Sequence, residues 1–256
     1  MEVSFIIDIH CHLDFKDFNR NREEVIERAR KKLDAVIDSG VGPGGNRMAL
    51  ELASQHPDFI YATMGFHPTD ASKARRELIE EVVSQIESSI DRIVAIGETG
   101  MDFHHTRDPG GRKKQEDTFR VFAGLAAEYE MPLVVHARDA EERALEAVLD
   151  YSIPLVVFHC YSGSHETARR IIDEGYYISV PTMVVFSEHH MDLVEKLPLE
   201  NILTETDSPY LSPFRGKRNE PAFVEEAVKK IAEIKDIKVG EADRITTENA
   251  GKVFGL

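Results

Sequence analysis

Tryptophan is absent, cysteine occurs only twice, and long apolar runs are missing. Cys11 and Cys160 cannot build a disulfide framework, so the composition fits a reducing interior, and a cytoplasmic location is expected. No stretch reaches the roughly 20 apolar residues that cross a bilayer. Met1-Glu2-Val3-Ser4 lacks the basic and apolar regions of a secretory leader. Positive charge is also scarce: 31 Lys and Arg stand against 46 Asp and Glu, a net charge of −15. That balance excludes a protein that coats nucleic acid through a broad basic surface. It leaves room for a site that grips a few phosphates with the help of bound cations. No Pro/Ser-rich linker or charge block divides the chain, so its 256 residues read as a single domain. No membrane association and no obligate protein partner are expected.

What the chain does contain is a series of short apolar runs separated by helical patterns. The runs are Val3–Ile9, Ala35–Ile37, Phe59–Met64, Ile93–Ile96, Leu133–Val135, Leu155–Phe158, Tyr177–Val180 and Ile202–Thr204. Most are continuously apolar, as parallel strands covered on both faces must be. Helical patterns occupy 22–33, 47–56, 75–90, 115–129, 140–149, 166–174, 188–197 and 221–235. Eight strand–helix units predict an α/β fold of the (β/α)8 TIM-barrel type. A doubly wound open sheet is the alternative, weakened because no Gly-rich dinucleotide turn follows the first strand. The tail 240–256 is expected to form one or two short helices closing the bottom or side of the barrel.

Barrel enzymes keep their chemistry where strands end. His10 and His12 end the first strand; Glu98, His136, His159 and Asp207 end the fourth, fifth, sixth and eighth. One such residue is ordinary, but six at the same end of five strands point to a metal site. Imidazole with carboxylate suits Zn, Mn or Fe, and Mg is accessible to the carboxylates. Six ligands exceed the four of a single zinc, so two divalent ions sharing Glu98 are expected.

Taken as an ordered set, the motifs resemble the TatD family of metal-dependent deoxyribonucleases. They are His10-x-His12, Ile96-Gly97-Glu98-Thr99-Gly100-Met101-Asp102, His136-Ala137-Arg138-Asp139-Ala140, His159-Cys160-Tyr161-Ser162-Gly163 and Glu205-Thr206-Asp207-Ser208-Pro209-Tyr210-Leu211. Arg215–Pro221 and Thr247-Glu248-Asn249-Ala250 extend the likeness to the C-terminus. The resemblance implies a TIM barrel, hydrolysis of DNA phosphodiesters, 3′→5′ exonuclease action on single strands or ends, and ligation by His10, His12, Glu98, His136, His159 and Asp207. Asp207 and Glu98 are the expected catalytic carboxylates. Met101, Phe103, Tyr161 and the glycine-rich 41–46 depart from the family's frequent residues and leave substrate preference open.

Around this set, His67, Arg138, Arg215, Lys217 and Arg218 are candidate phosphate contacts. His67 could equally cap its turn, Arg138 could pair with Asp139 or Glu142, and the basic cluster could be a solvated loop. Glu205 and Asp8 are candidates to orient ligands, on the expectation that Glu205 shares a strand face with Asp207, and Asp8 with His10 and His12. His104-His105 and His189-His190 read as exposed loop or helix residues, and Gly42-Pro43-Gly44-Gly45 as a bare turn. A hydrolase of the same fold acting on an ester, amide or aminoacyl-tRNA bond is the competing reading, and a noncatalytic metal-binding protein a third.

Overall fold

The computed structural model describes residues 6–256; the expected strand start at Val3 and the reading of Met1–Ser4 lie outside them. Eight parallel strands follow one another in spatial order: β1 (Ile7–Cys11), β2 (Ala35–Gly40), β3 (Ile60–Phe66), β4 (Ala95–Asp102), β5 (Leu133–Arg138), β6 (Val156–His159), β7 (Tyr177–Pro181) and β8 (Ile202–Glu205). The barrel closes between the first strand and the segment leaving the last. There His10 O accepts from Asp207 N at 2.9 Å, and His12 N donates to Ser208 O at 2.8 Å. This is the (β/α)8 barrel predicted from the alternation of runs.

The helices are α1 (Arg22–Arg30), α2 (Pro43–Gln55), α3 (Pro68–Ala71), α4 (Arg76–Glu87), α5 (Pro109–Glu128), α6 (Glu141–Val148), α7 (His165–Asp173), α8 (Glu188–Lys196), α9 (Val224–Lys235) and α10 (Val239–Phe254). Two begin earlier than their apolar periodicity suggests. Proline at the first position starts α2 within the supposed bare turn, and Asp108 caps α5 by accepting from Gly111 N. The tail is one helix, α10, as one of the two expected forms had it, but with 16 residues it is longer than the short helix expected.

Alternate residues of each strand face inward, and the inward row changes character along its length. At the lower end Ile7, Ala35, Ala95, Val134, Val157, Tyr177 and Leu203 form one apolar cluster, floored by Ala250, Val253 and Phe254 of α10. Higher up, the same rows reach Ser39, Thr63, His136, His159, Ser179 and Glu205, all polar. Outward rows pack against the helices in a second, larger cluster.

Two strands break the alternation. β1 carries an extra residue between Asp8 and Cys11 relative to β2, and β4 carries one between Ile96 and Thr99 relative to both neighbours. Such bulges re-aim side chains. The first lets Ile9 face the apolar interior while His10 and His12 face the upper cavity; the second turns Glu98 inward.

A candidate metal centre

At the upper end of the barrel the six expected ligands converge. His12 Nδ1 donates to Ser39 O at 2.9 Å, which makes Nε2 the nitrogen that faces the cavity and would bind a cation once its proton leaves. That Nε2 lies 3.3 Å from His10 Nε2, 3.6 Å from Glu98 Oε2 and 3.4 Å from Asp207 Oδ1. Ser39 Oγ sits 3.2 Å from His10 Nδ1, so one residue of β2 positions both imidazoles.

Glu98 divides its two oxygens between two groups. Oε2 is 3.4 Å from His10 Nε2 and is buried without a hydrogen-bond partner. Oε1 is 2.8 Å from His136 Nδ1, 2.9 Å from His159 Nε2 and 3.4 Å from His67 Nε2. The ligand atoms of His10, His12 and Glu98 lie within 4.8 Å of one another, as do those of His67, Glu98 and His136, and those of His10, His159 and Glu205. Such imidazole and carboxylate donors, several with unpartnered atoms, fit divalent transition-metal ions.

The charges are arranged accordingly. Burial alone would push His12 down, but Asp207 and Glu98 outweigh it and raise its imidazolium to about 10. Burial would raise Glu98, yet the field of His159 and His67, with His10 close to Oε2 and His136 hydrogen-bonded at Oε1, holds it well below the usual carboxylate range. Burial works against the His159 charge too, and Glu98 with Glu205 raises it. His10 goes the other way, lowered by burial and by His159. The carboxylate field that favours imidazolium favours a divalent cation equally, with protons leaving as the cation enters.

The remaining candidates divide. His67 caps α3, accepting from Thr69 N at 3.3 Å through Nδ1, so its proton sits on Nε2 and faces Glu98. It is therefore both cap and donor, and not a free lone pair for a metal. Arg138 lines the cavity and makes no ion pair among the described residues; Asp139 is taken by His104 and Glu142 by Arg170. Glu205 Oε1 lies 3.7 Å from His159 Nδ1, while Oε2 accepts from Ser179. Its shared strand face with Asp207 does not exist: β8 ends at Glu205, and Asp207 adopts a left-handed φ of 51° beyond it.

Asp8 is likewise displaced from its expected face, because the β1 bulge registers it with outward-facing Val36. Its carboxylate instead accepts from Thr206 N at 2.8 Å and from Thr206 Oγ1, across the barrel seam. Arg215, Lys217 and Arg218 stay off the cavity wall. Arg218 lies over the Phe18 ring and donates to Asp17 O and Asn21, and Lys217 lies over Phe214.

Three buried side chains in or beside the centre escaped the sequence reading. Asp102, at the end of β4, lies 3.3 Å from His136 Nε2 and 2.8 Å from His105 Nδ1. Burial opposes its charge, but those two histidines lower it far below its ordinary value. Its place four residues after Glu98, two on from the inward Gly100, was the available signal. Ser39 is the second, and His190 the third: expected to be exposed, it is buried at 3 %. Its spacing of three from Ser187, a helix cap, put it on the inward side of α8.

The central cavity, about 670 Å³, is lined by His12, His67, Glu98, His136, His159 and Asp207 among others. No helix of the described residues is long and apolar enough to cross a membrane. Residues 7–255 match the family model described as TatD related DNase. An uncharacterized metal-dependent hydrolase from Methanocaldococcus jannaschii is 44% identical over 248 residues, covering 97% of this chain and 96% of the relative. The protein named 3′-5′ ssDNA/RNA exonuclease TatD from Pectobacterium parmentieri is 30% identical, with 98% and 100% covered. Among solved structures, a TatD homologue from Escherichia coli superposes with a TM-score of 0.90 at 26% identity, covering 98% of both chains. With the barrel, the clustered donors and full-length matches in agreement, the chain belongs to the TatD family of metal-dependent hydrolases.

Proposed function

We propose that the protein is a deoxyribonuclease that hydrolyses phosphodiester bonds at the ends of single-stranded DNA, using two divalent ions that share Glu98. The single observation that carries the two-ion reading is the division of Glu98, with Oε2 toward His10 and His12 and Oε1 toward His136 and His159. Asp207 would complete the first group. Bound there, divalent ions supply Lewis acidity and bring the pKa of water toward neutrality.

The chain's own residues do the rest. Asp207 is kept ionised because the His12 hydrogen bond outweighs burial, and it accepts the proton of the attacking water. His67 Nε2–H and the unpaired Arg138 guanidinium donate to phosphoryl oxygens as charge grows on them. Asp102 and Glu205 hold the rings of His136 and His159 in orientation, and Ser39 holds those of His10 and His12. The Arg215–Arg218 loop meets a strand only outside this cavity.

Supplying Mg, Mn or Zn with 3′-labelled single-stranded DNA tests the reading. Cleavage is expected in the wild type and lost in Asp207→Ala and His10→Ala. Metal-loaded protein that leaves DNA intact would overturn it and favour a carbonyl-hydrolysing member of the fold.

A further inference from the structure

Two further cavities open off the centre, and they differ in kind. Toward β1–β3 a wide groove of about 790 Å³ shares Phe15, Val41 and Asp70 with the central cavity. Toward β5–β7 a smaller, more closed cavity of about 250 Å³ shares His136, Arg138, His159, Asp207 and Leu211 with it. Its own walls come from Ala137, Cys160, Ser162, Met183 and His190. Pockets that enclose drug-sized ligands run from roughly 300 to 1,000 Å³. The smaller cavity therefore suits one ring-sized group.

His190 gives that cavity its chemistry. It stands in the first turn of α8, where Ser187 Oγ accepts its backbone N–H and lies 2.7 Å from Nδ1. With the serine hydroxyl donating to Nδ1, the ring's proton is on Nε2. That Nε2, on the ring edge opposite Ser187, is buried and has no hydrogen-bond partner. Burial pushes the imidazole down to about 4, so it is neutral at physiological pH and offers one N–H. A neutral donor among Met183, Leu211 and Ala137 suits the acceptor edge of a heteroaromatic ring. It does not suit a phosphate, for which Arg138 stands where the two cavities meet.

We propose that this cavity receives the base of the terminal nucleotide, with His190 Nε2 donating to it while the rest of the strand leaves along the wide groove. The assignment rests on the nuclease reading above. It makes the centre a counter of single nucleotides, because about 250 Å³ holds one ring-sized group and not a longer chain.

The test compares metal-loaded enzyme on two oligonucleotides, one with an ordinary terminal base and one ending in an abasic sugar. The base should raise kcat/KM by about tenfold or more, the worth of one well-held base. His190→Ala should remove most of that advantage through KM and leave the abasic substrate unchanged. Met183→Trp, which fills the cavity from another wall, should do the same and guards against a folding defect at His190. Equal wild-type cleavage of both substrates, equal losses on both in the variants, or release of oligonucleotides in place of mononucleotides would overturn the assignment alone. No cleavage of either DNA would overturn the nuclease reading and this assignment with it.

Discussion

Replacing Glu98 by Gln keeps the volume of the side chain and removes its charge, which strikes both halves of the centre at once. An ion present at about 1,000 times its dissociation constant stabilises the folded state by about 4.1 kcal/mol. In a chain of this size each kcal/mol moves the melting temperature by about 2–4 °C, so one ion raises it by about 8–16 °C and the two together by about 16–32 °C. Glu98→Gln should abolish that metal-induced rise, because each group loses the carboxylate it approaches at 2.8 to 3.6 Å. His136→Ala touches only the Oε1 side and should keep about half of it. Without metal, Gln would leave the surrounding imidazolium groups uncompensated, at a cost of about 3–5 kcal/mol. The quantity to read is therefore each variant's own rise between chelator and metal. Thermal melts paired with elemental analysis should find about two ions in the wild type, one in His136→Ala and none in Glu98→Gln. A Glu98→Gln protein that keeps its ions and its full rise would refute the shared-carboxylate argument.

Three other outcomes are expected. Gly65→Ala would place a Cβ 2.4 Å from Glu98 O and 2.5 Å from Gly97 C, backbone atoms that cannot yield. It should cost about 1–3 kcal/mol and weaken metal binding, and a melt matching the wild type would contradict the packing around β4. His190 is lowered from about 6.5 to about 4, so between these values the unfolded chain binds the proton and the native one does not. Stability therefore falls as pH drops through that window, by up to about 3 kcal/mol, and His190→Gln should flatten this acid limb in denaturant titrations at pH 7 and 4.5. An unchanged limb would mean that the ring is not held neutral. Because, among the described residues, Arg138 is the one Lys or Arg lining the centre, and Lys16 and Lys73 share the wide groove with Asp14, Asp17 and Asp70, about one to three phosphates are neutralised. The slope of log affinity for single-stranded DNA against log salt should lie between about −0.7 and −2. A slope near −5 would require a basic surface that the cavities lack.

The strands were legible because most are continuous apolar runs, and the ligands because the first, fourth, fifth, sixth and eighth runs lead straight into His, Glu or Asp. What escaped depended on relations between strands. Neither bulge can be read from one run, since an extra residue exists only relative to a neighbour. That is why Asp8 seemed to share a face with His10; Glu205 seemed to share one with Asp207 for a different reason, since the strand stops at Glu205 and Asp207 turns left-handed beyond it. Helix starts at Pro43 and Pro109 were hidden by the glycines that follow each proline, a poor helical composition rescued by the first-turn proline and, in α5, by the Asp108 cap. His190 looked exposed because its neighbour His189 is; only the Ser187 cap reveals which one turns inward.

The seam of the barrel also has a mechanical meaning. Asp8 and Thr206, 198 residues apart, are fastened side by side, and the backbones of His10 and Asp207 join beside them. The residues that would grip a cation are thus the same ones that turn an open sheet into a closed ring. A cation held by His10, His12 and Asp207 would act as a rivet through the joint, and closing so long a loop is the entropic penalty that such a rivet offsets. Ligand loss and ring opening then become one event: slow hydrogen exchange at the amides of His12 and Asp207 would report occupancy of the centre from the hoop that surrounds it.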